Sequence, residues 1–426
     1  MHAAGIEVHN LPPVPKVEEA VFFAFDDHSM PFARDLDLML VPGRKFPDEV
    51  DNGSNIEFDR RHPGMPVLPQ GRADGPDSYE VICPNVFFID GEYRMWYMGQ
   101  GKDRRRRIMY AVSKDGFNWE KPNLGLVEYN GTKNNNIVEE ACGEWVMYDP
   151  EDSDPTKRFK SLRMIEGMRI AVAYSADGFR WREGPKDIFG IGMEVGHVFK
   201  FNGCYYANGQ GGPAPINRPL NHPYKPASKR MVITYASYDF EHWTYAASLS
   251  FRRDPVPPRA LPDFEAHRGE QVHEGVATWD RGNVLLGLYG QYHNQTNDRR
   301  TSICDLGFVI SHDAMHFKEP VPDFKMVHSY EERDGAEPRL MQRNAWAHIG
   351  DRTVYWYSVW REFPHRPTGA RVATWVRDRF GYFAASRPNT GFGSAYDPHC
   401  ISCPFTIDEG ARVFVNAAGL GEHSQL

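Results

Sequence analysis

The stretch Ser113-Lys114-Asp115-Gly116-Phe117-Asn118-Trp119 decides the fold of this 426-residue chain, because close variants of it recur further along. Three more copies and a degenerate fifth one read Ser175-Ala176-Asp177-Gly178-Phe179-Arg180-Trp181, Ser237-Tyr238-Asp239-Phe240-Glu241-His242-Trp243, Ser311-His312-Asp313-Ala314-Met315-His316-Phe317 and Arg377-Asp378-Arg379-Phe380-Gly381-Tyr382-Phe383. The first four begin at positions 113, 175, 237 and 311, so their spacing is 62, 62 and 74 residues. A near-constant period of this kind is the mark of a repeat architecture.

The residue types in the phrase predict a turn between two strands. A Ser or Asp side chain can accept hydrogen bonds from backbone N–H groups two residues on, Gly supplies a positive φ, and the Trp packs back between sheets. Each copy follows a strand-like apolar run, and a hairpin of two further strands precedes that run. Each unit is therefore one blade, and the sequence predicts an all-β, five-bladed β-propeller.

This register divides the chain into three parts. Residues 1–80 are predicted to be an N-terminal lead-in that packs on the propeller, and residues 81–390 to be the propeller itself. Residues 391–426 are predicted to be a C-terminal β extension with strands at Phe405-Thr406-Ile407 and at Ala411-Arg412-Val413-Phe414-Val415-Asn416. The extension either docks on the propeller or begins a β-sandwich.

Composition excludes several classes of partner. The net charge of −8 offers no basic field for nucleic acid, and the basic run at 104–107 is interpreted as a solvated hairpin tip. No window approaches the roughly 18 apolar residues of a membrane helix, so no membrane partner is expected. The N-terminus lacks a secretory signal, which predicts a cytoplasmic protein, although a secreted chain already trimmed of its signal would look the same.

Cysteine usage agrees with a reducing compartment. The six cysteines are sparse for this length, so they do not form a disulfide scaffold. Cys400 and Cys403 form a lone CxxC without a second ligand pair nearby, and they are interpreted as ordinary strand thiols. The sequence thus predicts no metal ligands; the oligomeric state stays open.

Three stretches resemble the five-bladed propeller glycoside hydrolases, the broad group around glycoside hydrolase families 32, 43 and 130. They are Tyr93-Arg94-Met95-Trp96-Tyr97-Met98-Gly99, the segment 113–122, and Lys133-Asn134-Asn135-Asn136-Ile137-Val138. The resemblance implies a glycosidase that acts on an oligosaccharide or glycoside in the central funnel. It implies no cofactor, and a structural cation in the funnel is left open.

Glycoside hydrolysis needs two carboxyl groups, one to donate a proton and one to attack or to activate water. Glutamates recur just ahead of the apolar inner strands, where a buried carboxylate is costly unless it is used or paired. Glu274-Gly275 also resembles the Glu-Gly of the family 43 general acid. The predicted catalytic residues are Glu194, Glu274 and Glu80, and the predicted substrate-binding residues are Asn85, Glu140, His197, His273 and Glu337.

One departure from the family pattern affects the chemistry. Families 32 and 43 carry an Asp before the Pro at the start of the first inner strand, whereas this chain has Cys83 before Pro84. No basic residue adjoins Cys83, which predicts a packed thiol and puts standard fructosidase or arabinofuranosidase chemistry in doubt. Either Glu80 substitutes or the base comes from another blade. A non-catalytic carbohydrate-binding propeller and a phosphorolytic or lyase-type enzyme remain alternatives.

Overall fold

The computed structural model describes residues 19–46, 66–166, 169–189, 193–211, 230–253, 268–329, 339–360, 368–386 and 396–418. Within these ranges the protein is all-β, as predicted, with short 3-10 turns such as Pro155–Lys157 and Arg299–Thr301. In the same ranges no helix has the length and apolar character needed to cross a bilayer.

The strands are short to medium in length and separated by turns. In chain order they are β1 (Phe32–Arg34), β2 (Leu36–Leu40), β3 (Arg44–Lys45), β4 (Leu68–Pro69), β5 (Glu80–Ile89), β6 (Glu92–Gln100), β7 (Arg106–Ser113), β8 (Trp145–Tyr148), β9 (Phe159–Ile165), β10 (Arg169–Ser175), β11 (Arg182–Lys186), β12 (Glu194–Phe201), β13 (Cys204–Gly211), β14 (Met231–Ser237), β15 (Ser248–Phe251), β16 (Gly269–Asp280), β17 (Leu285–Asn294), β18 (Ile303–Ser311), β19 (Lys325–Val327), β20 (Arg339–Met341), β21 (Trp346–Ile349), β22 (Arg352–Trp360), β23 (Gly369–Val376), β24 (Gly381–Ala385) and β25 (His399–Ile401).

Antiparallel pairing groups these strands in sequence order. The groups are β5-β6-β7, β8-β9-β10-β11, β12-β13-β14-β15, β16-β17-β18-β19 and β20/β21-β22-β23. One parallel bridge, Cys304 to Arg339, joins the last two groups. The predicted hairpins are confirmed as β5–β6, β8–β9, β12–β13, β16–β17 and β21–β22. The first strand of each predicted hairpin is called its inner strand below.

The recurring turn has the predicted hydrogen bonds. In the first copy Ser113 Oγ accepts the N–H of Gly116 at 2.8 Å, and Asp115 Oδ1 accepts the N–H of Phe117 at 2.8 Å. Gly116 has φ +78°, a left-handed conformation that glycine adopts at little cost. Its carbonyl also accepts the indole N–H of Trp356 from the last group at 2.8 Å, so the turn ties two groups together.

Amide side chains join neighbouring strand groups. Asn85 Nδ2 donates to the carbonyl of Glu144 at 3.1 Å, linking β5 to the start of β8. Asn208 Nδ2 donates to the carbonyl of Val276 at 3.1 Å, linking β13 to β16. Gln342 Nε2 donates to the carbonyl of Gly275 at 2.7 Å. These bonds give backbone oxygens between the groups a hydrogen-bond donor.

Two further contacts close the circuit of groups. Tyr205 Oη of β13 donates to the buried carboxylate of Asp149 after β8, at 2.7 Å, which joins the second and third groups. The backbone N–H of Val86 donates to the backbone carbonyl of Asn344 at 2.7 Å, which joins the last group to the first. Each group therefore contacts the next one, and the fifth contacts the first.

The lead-in and the C-terminal segment pair with the last group and with each other. β3 and β4 both pair with β23, β2 pairs with β24, and β1 pairs with β25. The prediction of strands at 405–407 and 411–416 is wrong, because the backbone there is irregular. The C-terminal segment instead has the short strand β25 before these residues. Apolar side chains such as Phe414, which is 83% exposed, have no sheet to cover them and so give no strand.

The inner strands β12 and β16 approach each other closely at Gly196 and Gly275, where a methyl group on Gly196 would overlap the backbone of Gly275. We expect Gly196→Ala to lower the free energy of unfolding by about 3 kcal/mol, because packed backbone cannot move aside. Gly203→Ala is the matched control, since a methyl group at Gly203 contacts nothing. Its only cost is that of placing alanine at a left-handed φ of +75°, about 1 kcal/mol. Urea denaturation measures both; equal losses would contradict the close approach.

Candidate active site

The predicted glutamates on β5 and β12 occupy equivalent places. Glu80 is the first residue of β5 and pairs with Gln100, and Glu194 is the first residue of β12 and pairs with Gln210. Glu80 is buried, whereas Glu194 is partly exposed and accepts a hydrogen bond from Gln210 Nε2 at 2.8 Å. The amide fixes the orientation of the Glu194 carboxylate at the start of the inner strand.

Three inner strands, β5, β12 and β16, carry a register shift a few residues further on, and that of β12 lies between Val195 and His197. The register of β5 shifts between Ile82 and Asn85, and the register of β16 shifts between His273 and Val276. Cys83 and Glu274 lie within these shifts, and both adopt left-handed backbone conformations with φ +59° and +60°. Strained residues of this kind persist only where the surroundings enforce them, and they concentrate at functional sites.

Glu274 is held by Arg343, which lies between β20 and β21. The guanidinium contacts both carboxylate oxygens, with Nη1 on Oε2 and Nη2 on Oε1 at 3.1 Å. Both side chains are almost fully buried. Burial raises the pKa of the Glu274 carboxyl, and the Arg343 charge opposes that rise.

Glu144, directly before β8, is the carboxylate that sequence reasoning missed. Burial raises the pKa of the Glu144 carboxyl, and the charge of Glu194 adds to the rise. Arg343 and Arg106 oppose it. The charges of Glu144 and Glu194 also act on Glu274, so these three carboxyl groups lie within electrostatic reach of one another, and the Arg343 charge acts on both Glu144 and Glu274. We call Glu144, Glu194, Glu274 and Arg343 the carboxylate cluster.

Cys83 adjoins this cluster as a packed thiol, as predicted. It is buried, and its backbone N–H donates to Ser358 Oγ at 2.9 Å. Burial raises the pKa of the Cys83 thiol far above its ordinary value, which keeps the sulfur protonated. A protonated thiol is a poor nucleophile, so Cys83 supplies shape rather than charge.

Two predicted substrate-binding residues turn out to join strands. The Asn85 amide is occupied by backbone carbonyls, including that of Glu144 described above. His197 is buried against Phe199, and its Nε2 lies 3.0 Å from Thr278 Oγ1. Burial lowers the pKa of His197 to about 3, so the ring is neutral.

The buried His197 gives a testable pH dependence. In the unfolded chain the histidine takes up a proton below its ordinary pKa of 6.5, whereas in the folded protein His197 stays neutral until the pH falls to about 3. Wild-type stability should therefore fall, relative to His197→Gln, by up to about 1.4 kcal/mol for each pH unit below that ordinary value. Denaturation across this range measures the slope, with the exposed His316→Gln as control; parallel wild-type and His197→Gln curves would refute the prediction.

His273 lies among aromatic and cationic side chains. Its ring stacks on Trp360 at 5.5 Å and faces Tyr292 at 6.4 Å. Burial lowers the pKa of His273 well below its ordinary value, and four guanidinium groups add to that shift, those of Arg230, Arg339, Arg299 and Arg343. Three of these arginines, Arg230, Arg299 and Arg339, lie outside the carboxylate cluster and bring positive charge to His273.

The structure describes one of the two remaining candidates. Glu140 is exposed and forms an ion pair with Arg105, so the structure places it outside the carboxylate cluster. Glu337 lies outside the described residues. The signal that could have found Glu144 is its position directly before an apolar inner strand, which the neighbouring pair Glu139-Glu140 obscured.

Comparison with solved structures finds glycoside hydrolases of the family 130 and family 43 kind. One comes from work describing the GH130 family of mannoside phosphorylases as containing glycoside hydrolases that target β-1,2 mannosidic linkages in Candida mannan; it is 14% identical, with a TM-score of 0.46 over 82% of this chain and 97% of that one. A glycosyl hydrolase from Bacteroides ovatus is 15% identical (TM-score 0.45, 83% and 98%). A thermostable family-43 glycoside hydrolase is 13% identical (TM-score 0.43, 74% and 96%).

Among curated sequences the chain is similar to two uncharacterized proteins of Mycobacterium tuberculosis. Both are 27% identical over 201 residues, which is 43% of this chain and 64% of theirs. The match thus spans less than two thirds of the length of these relatives. No family model matches the chain.

Proposed function

We propose that the protein is a glycosidase that cleaves an oligosaccharide or glycoside in the funnel of a five-bladed propeller. The observation that carries the proposal is the carboxylate cluster, in which carboxyl groups on or directly before three successive inner strands act electrostatically on one another. The circuit of strand groups supports the propeller, because the fifth group contacts the first. A ring of this kind leaves a central funnel lined by inner strands.

The environments of the three carboxyl groups suggest different roles. We assign Glu144 as the general acid, because its raised pKa favours the protonated form that donates to the glycosidic oxygen. Glu194 is the partner that attacks the anomeric carbon or activates water. Its carboxylate is partly exposed and held by Gln210, and so is accessible and oriented.

Glu274 is assigned as a positioning residue. Both of its oxygens are bound by Arg343, so they are not available to transfer a proton to a substrate. The ion pair instead fixes the guanidinium, whose charge acts on Glu144. Glu80 stays a second candidate for the base, since it occupies on β5 the place that Glu194 has on β12.

Phosphorolysis is a second candidate, favoured by the arginines around His273. Inorganic phosphate would then replace water as the nucleophile, and guanidinium groups suit its oxyanions. The charges of Arg230, Arg299 and Arg339 reach His273, next to Glu274 in the chain.

Incubation with a panel of oligosaccharides and aryl glycosides tests both candidates. Hydrolysis predicts release of a free reducing sugar in phosphate-free buffer, whereas phosphorolysis predicts a sugar phosphate only when phosphate is added. Mass spectrometry distinguishes the products, and NMR of the first-formed anomer separates direct attack by Glu194 from water activation. Glycan binding without any product from the bound glycans would instead indicate a non-catalytic carbohydrate-binding protein.

A further inference from the structure

Three potential metal ligands meet at the surface, away from the carboxylate cluster. Asp27, His28 and His312 each offer one ligand atom, and these atoms lie within 4.8 Å of one another. The two imidazole rings are stacked, with centroids 3.6 Å apart and planes 11° from parallel. Two imidazoles and a carboxylate are a donor set that zinc-class ions bind in proteins.

A buried carboxylate behind this trio orients one of the rings. Asp26 is fully buried, and its Oδ1 lies 2.7 Å from Nε2 of His312. A carboxylate that accepts Nε2–H leaves Nδ1 of His312 with its lone pair, which is the usual arrangement behind a metal-bound histidine.

The Asp26 carboxylate is itself fixed in place. Ser29 Oγ donates to Oδ2 at 2.5 Å, and the backbone N–H of His28 donates to Oδ1 at 3.1 Å. Asn283, from the β16–β17 turn, donates to Ser29 Oγ at 2.9 Å. The support for the trio therefore comes from two parts of the fold, the lead-in and the fourth strand group.

His312 is also unusual within the repeated turn. It occupies the second position of the fourth copy, where the other copies have Lys114, Ala176 and Tyr238. The turn does not need a histidine there, since its backbone is held by Ser311 and Asp313 as in the other copies. The histidine faces the lead-in instead.

We propose that Asp27, His28 and His312 bind a divalent transition-metal ion of the zinc class, with water completing the coordination, once the His28 ring turns out of its stack on His312 so that an in-plane lone pair of each ring reaches the ion. Lys318 Nζ contacts both oxygens of Asp27. The metal replaces this ammonium as the positive partner of the carboxylate. The bound metal would join the lead-in, which carries Asp27 and His28, to the turn after β18, which carries His312. The C-terminal segment also contacts this part of the lead-in, because the N–H of Cys403 donates to the backbone carbonyl of Ser29.

Titration of the full chain with Zn²⁺ alone, in competition with a chromogenic chelator, tests this site. Wild type should bind one ion, and His28→Ala/His312→Ala should bind at least about 100-fold more weakly. Asp26→Asn should weaken binding about 10- to 100-fold by releasing the orientation of His312. Lys318→Gln should bind Zn²⁺ more tightly, because it removes the competing ammonium.

His316→Ala is the matched control, an exposed histidine four residues further on in the same turn, and it should bind as wild type does. Co²⁺ in place of Zn²⁺ should give a visible absorption band in wild type and none in the double variant. A wild type that does not bind one ion, or a double variant that binds it as well, would overturn the site. Circular dichroism of each variant verifies that the fold is intact.

Discussion

Glu144→Gln is expected to lower kcat about 10²- to 10⁴-fold on the glycan that wild type cleaves, the usual contribution of a general acid. Glutamine keeps the size and a hydrogen-bond donor but has no proton to transfer. Because the acid acts in the transition state, kcat and kcat/KM should fall together, with little change in KM. Glu194→Gln should show a loss of similar size, since its carboxylate attacks the substrate or activates water.

Glu140→Gln is the control for both variants. Like Glu144, Glu140 precedes β8, but its side chain is exposed, and its ion pair with Arg105 contributes little to stability. It should retain wild-type kcat. If Glu144→Gln and Glu194→Gln both keep full activity with intact folds, the assignment of acid and base to these residues is wrong.

Arg343→Met is expected to lower the free energy of unfolding by about 3–5 kcal/mol, because it leaves the Glu274 charge buried without its partner. The loss should shrink as pH falls. Without the guanidinium the pKa of Glu274 rises further above its ordinary 4.5, so the variant regains stability as protonation removes the charge. Urea denaturation at several pH values measures both effects.

The double variant Arg343→Met/Glu274→Gln separates the pair from simple loss of packing. With both charges removed, much of the stability should return, since a neutral amide costs less to bury than a lone carboxylate. A double variant as unstable as Arg343→Met alone would show that packing of the long arginine side chain, rather than the ion pair, is what the fold needs.

Local chemistry explains what could be predicted from the sequence. The Ser-x-Asp turns are held by hydrogen bonds between residues two and three apart, so their signal is complete within seven residues. These turns set the register of the hairpins. That register predicted that inner strands start near Glu80 and Glu194. The packed thiol of Cys83 followed in the same way.

Long-range contacts explain what could not be predicted. Arg343 meets Glu274 across 69 residues of chain, and nothing near either residue indicates the pairing. The left-handed backbone of Glu274 depends on that tertiary setting too. Conversely, Asn85 and His197 sit where substrate contacts were expected, but neighbouring strands occupy their polar groups. The segment 405–416 has strand-like composition without a partner strand.

The pairing of β3 and β4 with β23 bears on the order in which the molecule assembles. During synthesis residues 44–45 and 68–69 leave the ribosome early, yet their partners in 369–374 follow some three hundred residues later. β3 and β4 therefore stay unpaired, or are covered by other contacts, until β23 emerges. Contacts this distant in sequence slow folding and expose unpaired edges meanwhile. Closure of the circuit is therefore a late event, and chaperone dependence should be greatest just before β23 is made.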